Sequence, residues 1–116
     1  MIKRKEELRV RNAAGLQGGK GDLIFTDILL PDEALNVGRL FSKLVVPQGS
    51  SVGYHTHKGD FEFYYVLSGE ATVVDNGEEV TLYPGDMNLC REGDGHSLEN
   101  RAEEDLVVLA VILYTP

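Results

Sequence analysis

The sequence contains few of the residues that stabilise extracellular or membrane proteins. Its 116 residues include one cysteine, no tryptophan and four prolines. A single cysteine, Cys90, excludes an intrachain disulfide and is consistent with a reducing compartment. The longest apolar run, at residues 106–114, is too short to cross a bilayer, and the basic amino terminus lacks the apolar stretch of a signal peptide. We therefore predict a single-domain cytoplasmic protein that does not act at a membrane.

Positive charge is also scarce, and it is unevenly distributed. The chain has eleven basic and nineteen acidic residues, so its net charge is -8. This negative charge argues against binding to nucleic acid, whose phosphates it would repel. Residues 1–20 nevertheless carry a local charge of +4, which leaves -12 for the remainder. We interpret this basic arm as lying on the acidic part of its own chain or of a second subunit. Binding of an acidic partner is the alternative.

The arm continues into a glycine-rich segment, NAAGLQGGKG, at residues 12–21. A phosphate-binding loop would need Ser or Thr after its lysine, and Lys20 is followed by Gly21. We therefore predict a flexible loop that could cover a site as a flap. Residues 1–22 are assigned to the arm and this loop, and residues 23–116 to one compact domain.

The rest of the chain has the pattern of an all-β protein. Turn signals recur about every 8 to 12 residues and no long helix is indicated, which predicts a barrel or sandwich. Asn76-Gly77 lies between two alternating apolar segments, the strongest hairpin signal in the chain. The predicted strands cover residues 8–11, 23–30, 39–46, 51–56, 61–67, 71–74, 79–82, 87–91 and 106–114. The last of these is apolar on both faces, as expected for a strand buried in a sandwich or beneath a second subunit.

Side-chain alternation assigns a face to two of these strands. In residues 39–46, Leu40, Ser42, Leu44 and Val46 are expected to face the interior. The other face is expected to carry Arg39, Phe41, Lys43 and Val45. In residues 61–67, the interior face is expected to carry Glu62, Tyr64 and Val66.

The three histidines of the chain form the most informative pattern. His55 and His57 stand two residues apart, so on a strand both imidazoles point to one face. A polar turn at residues 58–60 can return the chain so that Glu62 lies beside them. Two imidazoles and a carboxylate suit a divalent first-row metal with open positions for water or substrate. If His96 faces the same point, the site has three histidines and one glutamate.

These residues also carry a family resemblance. Gly49, His55, His57, Glu62 and Gly69 match the first motif of the cupin superfamily, G-x5-H-x-H-x4-E-x6-G. The second motif, G-x5-P-x-G-x2-H-x3-N, is similar to Gly85, Gly93, His96 and Asn100, with Arg91 in place of the proline. The resemblance implies a jelly-roll barrel, also called a double-stranded β-helix. It further implies one Fe, Mn, Ni, Co or Zn ion per chain at His55, His57, Glu62 and His96, and a homodimer.

The resemblance leaves the function open, because this fold carries many chemistries. The first hypothesis is a metalloenzyme acting on a small polar organic molecule as a dioxygenase, isomerase, decarboxylase or lyase. Tyr64, unless it is a core tyrosine, or a metal-bound hydroxide is then the candidate catalytic base. The alternatives are a binding protein for a sugar or an acid, and a storage or structural protein with an inert metal. Asn100 and Tyr64 are candidates to orient the ligands, and Cys90 is expected to be a small buried core residue.

Overall fold

The computed structural model describes residues 1–116 as an almost entirely β protein, which confirms the predicted class. The strands are β1 (Arg9–Ala14), β2 (Asp22–Asp27), β3 (Gly38–Val46), β4 (Ser51–Thr56), β5 (Asp60–Ser68), β6 (Ala71–Asp75), β7 (Glu78–Leu82), β8 (Met87–Cys90), β9 (Gly95–Glu99) and β10 (Leu106–Tyr114). Two 3-10 helices of three residues each lie at Lys5–Glu7 and Leu16–Gly18. Neither has the length or apolarity that a membrane span requires.

The strands form two antiparallel sheets with the core between them. The larger sheet has six strands in the order β1-β2-β3-β10-β5-β8, and the smaller has four in the order β4-β9-β6-β7. Both sheets contribute buried apolar side chains to one core. Its members include Leu44, Val66 and Val108 from the larger sheet and Val52, Val73 and Leu98 from the smaller. The hairpin predicted at Asn76-Gly77 joins β6 to β7.

The alternation predicted for β5 is confirmed, because Glu62, Tyr64 and Val66 are buried. On β3, Ser42, Leu44 and Val46 are buried as predicted. The assignment of Arg39 to the outer face is wrong. Ile112 of β10 pairs with Leu40 and the next residue, Leu113, pairs with Gly38, so Arg39 is the extra residue of a β-bulge. A bulge redirects the side chain it contains, and Arg39, although half exposed, lines the cavity inside the barrel and donates to the buried Asp60.

Strand β2 ends at Asp27, earlier than the predicted end at residue 30. The backbone amides of Ile28 and Leu29 both donate to the carbonyl of Phe41, so the chain leaves the regular ladder here. A turn containing Pro31 follows, in which Leu35 and Asn36 have positive φ angles.

The amino-terminal segment contributes to the larger sheet. Strand β1 pairs with β2 along its whole length, and it is longer than the short strand predicted at residues 8–11. The glycine-rich loop that follows packs closely on β4. A Cβ atom at Gly19 would lie 2.1 Å from the Ser51 carbonyl oxygen, and one at Gly53 would lie 2.0 Å from that of Gln17. The mobility of this loop and the division of the chain at residue 22 stay predictions.

A buried carboxylate, that of Asp27, joins β1 to β3. Its oxygens accept hydrogen bonds from Arg9 Nε at 2.7 Å, Arg11 Nε at 2.9 Å and Arg11 Nη2 at 3.2 Å. The Ser42 hydroxyl on β3 donates to the same group. Burial raises the pKa of Asp27, but the hydrogen bonds from Arg11, Ser42 and Arg9 outweigh it and lower the pKa to about 2.

We predict that Asp27 stabilises the fold in a pH-dependent way. Its folded pKa of about 2 lies below the ordinary value of 3.8, so its contribution is present above pH 3.8 and is lost as pH falls through 2. The free energy of unfolding of Asp27→Asn should therefore be lower than that of the wild type by about 2 kcal/mol near neutral pH. Denaturant titrations from pH 6 to pH 2 should show this difference narrowing.

The matched control is Asp22→Asn, an exposed residue on the same strand. It should unfold with nearly wild-type free energy at every pH. A difference between Asp27→Asn and wild type that does not change with pH would contradict the assignment.

Candidate metal centre

The four predicted ligands come from different parts of the chain and meet inside the barrel. His55 lies in β4 and His57 directly after it, Glu62 lies in β5, and His96 lies in β9. Strands β4 and β9 pair so that His55 stands opposite His96. The turn between β4 and β5 returns the chain to Glu62, as the sequence indicated. The ligand atoms of these four residues all lie within 4.8 Å of one another.

The distances between these atoms match the spacing of donors around one metal ion. His96 Nε2 lies 2.9 Å from Glu62 Oε1, 3.1 Å from His55 Nε2 and 3.3 Å from His57 Nε2. Donors at right angles around an ion, each with a bond of about 2.1 Å, are about 3 Å apart. The cluster therefore has the dimensions of a first coordination sphere.

Hydrogen bonds to the far side of each imidazole determine which nitrogen faces the cluster. The Nδ1–H group of His55 donates to the Gly53 carbonyl at 2.8 Å, and that of His57 to Asp60 Oδ1 at 2.6 Å. The Nδ1–H group of His96 donates to Asn88 Oδ1 at 2.7 Å. With protons on all three Nδ1 atoms, the three Nε2 atoms present lone pairs to one point. Three lone pairs and a carboxylate that face one point could hold one metal ion, and the donor set fits a divalent metal.

The charge of the cluster comes from Glu62, whose side chain is almost fully buried. Burial raises its pKa, but the close contacts with the His55, His57 and His96 imidazoles lower it more, so the carboxyl group stays ionised. Burial lowers the pKa of His96, which keeps that imidazole neutral at neutral pH. The Glu62 carboxylate, which would accept a hydrogen bond from the protonated ring, raises the pKa of His57 against the effect of burial. A proton on His57 would therefore compete with a metal.

The cluster opens onto a cavity of about 130 Å³ between the two sheets. Most of its wall is apolar, from residues such as Leu44, Val52 and Ile112. Two guanidinium groups, those of Arg11 and Arg39, also line it. Leu16 and Gln17 of the glycine-rich loop form another part of the wall, so the predicted flap segment borders the cavity.

Tyr64 lies in direct contact with the cluster. Its side chain is 2% exposed, and its ring stacks on His96 with centroids 4.7 Å apart. It lines the same cavity. Burial and the nearby carboxylate of Glu62 raise the pKa of the phenol well above its ordinary value. At neutral pH the hydroxyl therefore keeps its proton, which suits a hydrogen-bond donor better than a base. A catalytic role for Tyr64 stays a prediction.

Sequence reasoning missed the residues that orient the ligands. Asp60 was assigned to a turn and Asn88 to a strand with no function, although they hold His57 and His96. The proposal that Asn100 orients the ligands is wrong. Its amide nitrogen donates to the carbonyls of Val46 and Glu104, so it fastens the loop before β10 instead. Polar side chains flanking a strand were the only available signal for Asp60 and Asn88, and many loop residues share it.

Two other sequence observations are resolved by the structure. Cys90 is fully buried outside the cluster, as predicted, and burial raises the pKa of its thiol to about 12. Arg91 replaces the motif proline without loss of the turn. The Asp94 amide donates to the Arg91 carbonyl at 2.9 Å, and the Arg91 amide donates to the Asp94 side chain at 3.3 Å.

Comparison with known proteins agrees with the fold and the motifs. Residues 42–112 match the family described as Cupin domain. The chain belongs to the cupin family. This cupin is 40% identical to the oxalate-binding protein of Thermotoga maritima over 113 residues, which cover 97% of this chain and 93% of the relative.

Solved structures include similar cupins. A crystal structure from Thermotoga maritima, described as a predicted oxalate decarboxylase, has a TM-score of 0.93 and 39% identity, covering 99% of this chain and 100% of that one. A sugar phosphate isomerase from Silicibacter pomeroyi has a TM-score of 0.79 at 20% identity, covering 100% of this chain and 77% of that one. The similarity to the isomerase structure, at 20% identity, shows the fold alone.

We predict that Asn88 controls metal affinity through His96. In Asn88→Leu the acceptor for His96 Nδ1–H is removed while side-chain volume is nearly kept, so the imidazole can rotate or change tautomer. Affinity for Co(II) should fall about 10- to 100-fold. Competition titration with a chromophoric chelator measures this change.

Ser97→Ala is the matched control, because Ser97 lies next to His96 and its hydroxyl accepts a hydrogen bond from the Val74 amide instead. It should bind Co(II) as the wild type does. Unchanged Co(II) affinity in a folded Asn88→Leu variant would refute the orienting role.

Proposed function

We propose that this cupin binds a small dicarboxylate of the size of oxalate at a divalent metal held by His55, His57, Glu62 and His96. One observation carries the proposal: three of the four centre residues, His55, His57 and Glu62, line the same small cavity as two arginines, Arg11 and Arg39. Guanidinium groups recognise carboxylates through paired, charge-assisted hydrogen bonds.

The size of the cavity supports an acid of a few atoms over a sugar. At about 130 Å³ it is smaller than the about 300–1,000 Å³ typical of sites for drug-sized ligands. The name of the Thermotoga maritima relative, an oxalate-binding protein, supports the same class of ligand. The sugar phosphate isomerase shares only 20% identity and supports no substrate assignment.

A bound Fe, Mn, Ni, Co or Zn ion would supply a Lewis acid with open coordination positions. The residues around it would hold the ligand. Asp60 and Asn88 keep the histidines in the lone-pair orientation. Arg11 and Arg39, whose side chains are 40% and 50% exposed, offer charged donors to a carboxylate.

Binding without turnover is the function that the site supports best, because Glu62, the one acidic residue that lines the cavity, and the two aspartates near it already have partners. Asp27 is paired with Arg9 and Arg11, Asp60 with Arg39 and His57, and Glu62 faces the three histidines. The second candidate is a metalloenzyme that cleaves or oxidises the same ligand. It is favoured by the buried, protonated hydroxyl of Tyr64 beside the centre, a possible proton donor to a carbanion or leaving group.

We predict about one metal ion per chain in protein purified without chelators, and less than a tenth of that in His57→Ala. Metal-loaded wild type should bind oxalate in calorimetry, and metal-free protein should not. Thr56→Ala, an exposed residue between the two histidines, should behave as wild type.

Absence of metal after reconstitution, or equal oxalate binding with and without it, would contradict the proposal. Release of carbon dioxide or consumption of oxygen by the metal-loaded protein, lost in Tyr64→Phe, would favour the enzyme.

We also propose a homodimer formed through the outer face of the larger sheet. This face carries apolar side chains along adjacent strands, and Lys43 is the only charged residue in its central part. Its members include Phe41, Val45, Phe63, Tyr65, Val107, Leu109 and Val111. An antiparallel sheet exposed to water normally places polar residues on that side. A second copy of this chain is the favoured occupant, because a central face with almost no charge avoids repulsion between two chains of charge -8.

The dimensions of the face agree with this assignment. In sheet order the six strands have six, six, nine, nine, nine and four residues, and each residue covers about 3.3 Å along its strand and about 4.8 Å across it. The resulting area, on the order of 700 Å², is close to the about 800 Å² that each partner contributes to a stable interface.

We predict that Leu109→Arg, at the centre of this face, converts a dimer into a monomer, because the interface would bury two unpaired charges. Light scattering after size-exclusion chromatography gives the mass. Val80→Arg on the smaller sheet is the control and should stay dimeric. A wild type that is monomeric at micromolar concentration would refute the proposal.

A further inference from the structure

We infer that Arg11 is the specificity-determining residue, recognising the second carboxylate of a dicarboxylate whose first carboxylate lies at the four-residue centre. This assignment rests on the proposed function and extends it. It places the choice between mono- and dicarboxylates on strand β1, outside residues 42–112 that match the family.

The guanidinium of Arg11 is held rigidly at the cavity. Its Nε and Nη2 atoms both donate to the buried carboxylate of Asp27, at 2.9 and 3.2 Å. Its central carbon lies 4.4 Å from the centroid of the Phe25 ring, on which the group is stacked. An arginine has five N–H donors, so donors remain for a ligand. Because the group is already ordered, little conformational entropy is lost when it binds an anion.

The local charges favour a dianion. Asp27 is shared by Arg9 and Arg11, so one carboxylate faces two guanidinium groups and one positive charge is left over. Arg39 and Asp60 neutralise each other. A divalent ion beside the ionised Glu62 leaves one more positive charge. Two positive charges thus face a cavity in a chain of net charge -8, and oxalate carries two negative ones.

The other arginine in the cavity has a different environment. Arg39 Nε donates to Asp60 Oδ2 at 2.9 Å, and the second oxygen of Asp60 accepts the bond from His57. A change at Arg39 would therefore disturb a candidate metal ligand. Arg11 and Asp27 make no hydrogen bond to the four-residue centre, so a change at Arg11 should alter ligand preference while metal content stays the same.

The test compares Arg11→Ala with Arg9→Ala in Co(II)-loaded protein. Both variants remove a guanidinium from Asp27, but Arg9 does not line the cavity. Calorimetric titration with oxalate and with acetate gives two affinities for each protein. In Arg11→Ala, oxalate affinity should fall about 10- to 100-fold while acetate affinity stays near that of wild type. Arg9→Ala removes a charge but no group that lines the cavity, and the Arg9 side chain is 57% exposed, so its loss of oxalate affinity should be small, less than about threefold, and acetate affinity should stay near wild type.

Two controls keep the result interpretable. Cobalt is measured after each titration, because free oxalate can remove the metal from the protein. Thermal unfolding shows whether each variant is folded. If Arg11→Ala is not folded, Arg11→Lys takes its place; it keeps the charge but loses the planar fork, and should still show a reduced preference for oxalate over acetate.

The outcomes separate this inference from the proposed function. If metal-loaded wild type binds neither anion, the proposed function fails. If wild type prefers oxalate and folded Arg11→Ala keeps that preference, the assignment of Arg11 is overturned and the proposed function stands. An equal loss of oxalate affinity in Arg9→Ala and Arg11→Ala would also overturn the assignment of Arg11. A general effect of positive charge would then explain the preference for oxalate.

Discussion

The arrangement on which the site depends is the convergence of three imidazole lone pairs and one carboxylate. Each imidazole donates its other N–H group to an acceptor outside the cluster, namely Gly53, Asp60 or Asn88. No proton then remains between the facing nitrogen atoms and Glu62, and a bound cation would relieve their mutual repulsion. The fold supplies this geometry by pairing β4 with β9 and returning β5 beside them, so the strand register determines the coordination sphere.

Two buried aspartates organise the surroundings of the centre in different ways. Asp60 connects Arg39 to His57, so one carboxylate orients a metal ligand and a cavity cation together. Asp27 fixes Arg11 and joins the edge strand β1 to β3 through Ser42. In both cases a carboxylate taken out of water is stabilised by several charge-assisted hydrogen bonds, and the arginine it holds is ordered before any ligand arrives. Stability and recognition therefore depend on the same contacts.

The larger sheet has two apolar faces with different roles. Its inner face packs on the smaller sheet to form the core, and its outer face is nearly free of charge. The continuous apolar sequence of β10 reflects both, because its residues alternate between a buried face and this outer one. A central strand carries polar residues on one side when that side faces water. When both faces of the sheet are covered, the strand is apolar on both sides.

The local sequence was enough to predict the all-β fold, the convergence of His55, His57 and Glu62, and the inward face of β5. These features depend on short-range regularities: the two-residue period of a strand, the turn residues that bound it, and a fixed spacing between His55, His57 and Glu62. The histidine at position 96 could be added only through a family pattern, since it lies far along the chain.

Features that depend on contacts between distant segments were not accessible in this way. The sequence did not indicate that Asn88 would meet His96, or that Asn100 would fasten a loop instead. Arg39 was assigned to the wrong face because a single bulge residue inverts the alternation, and nothing local marks the bulge. Arg11 was assigned to a separate basic arm, because the pairing of β1 with β2 cannot be predicted from the local sequence. The sequence by itself determined which residues could form strands and bind a metal. Only the tertiary structure decided which polar groups meet, because hydrogen-bond partners are chosen by sheet order and register and not by separation along the chain.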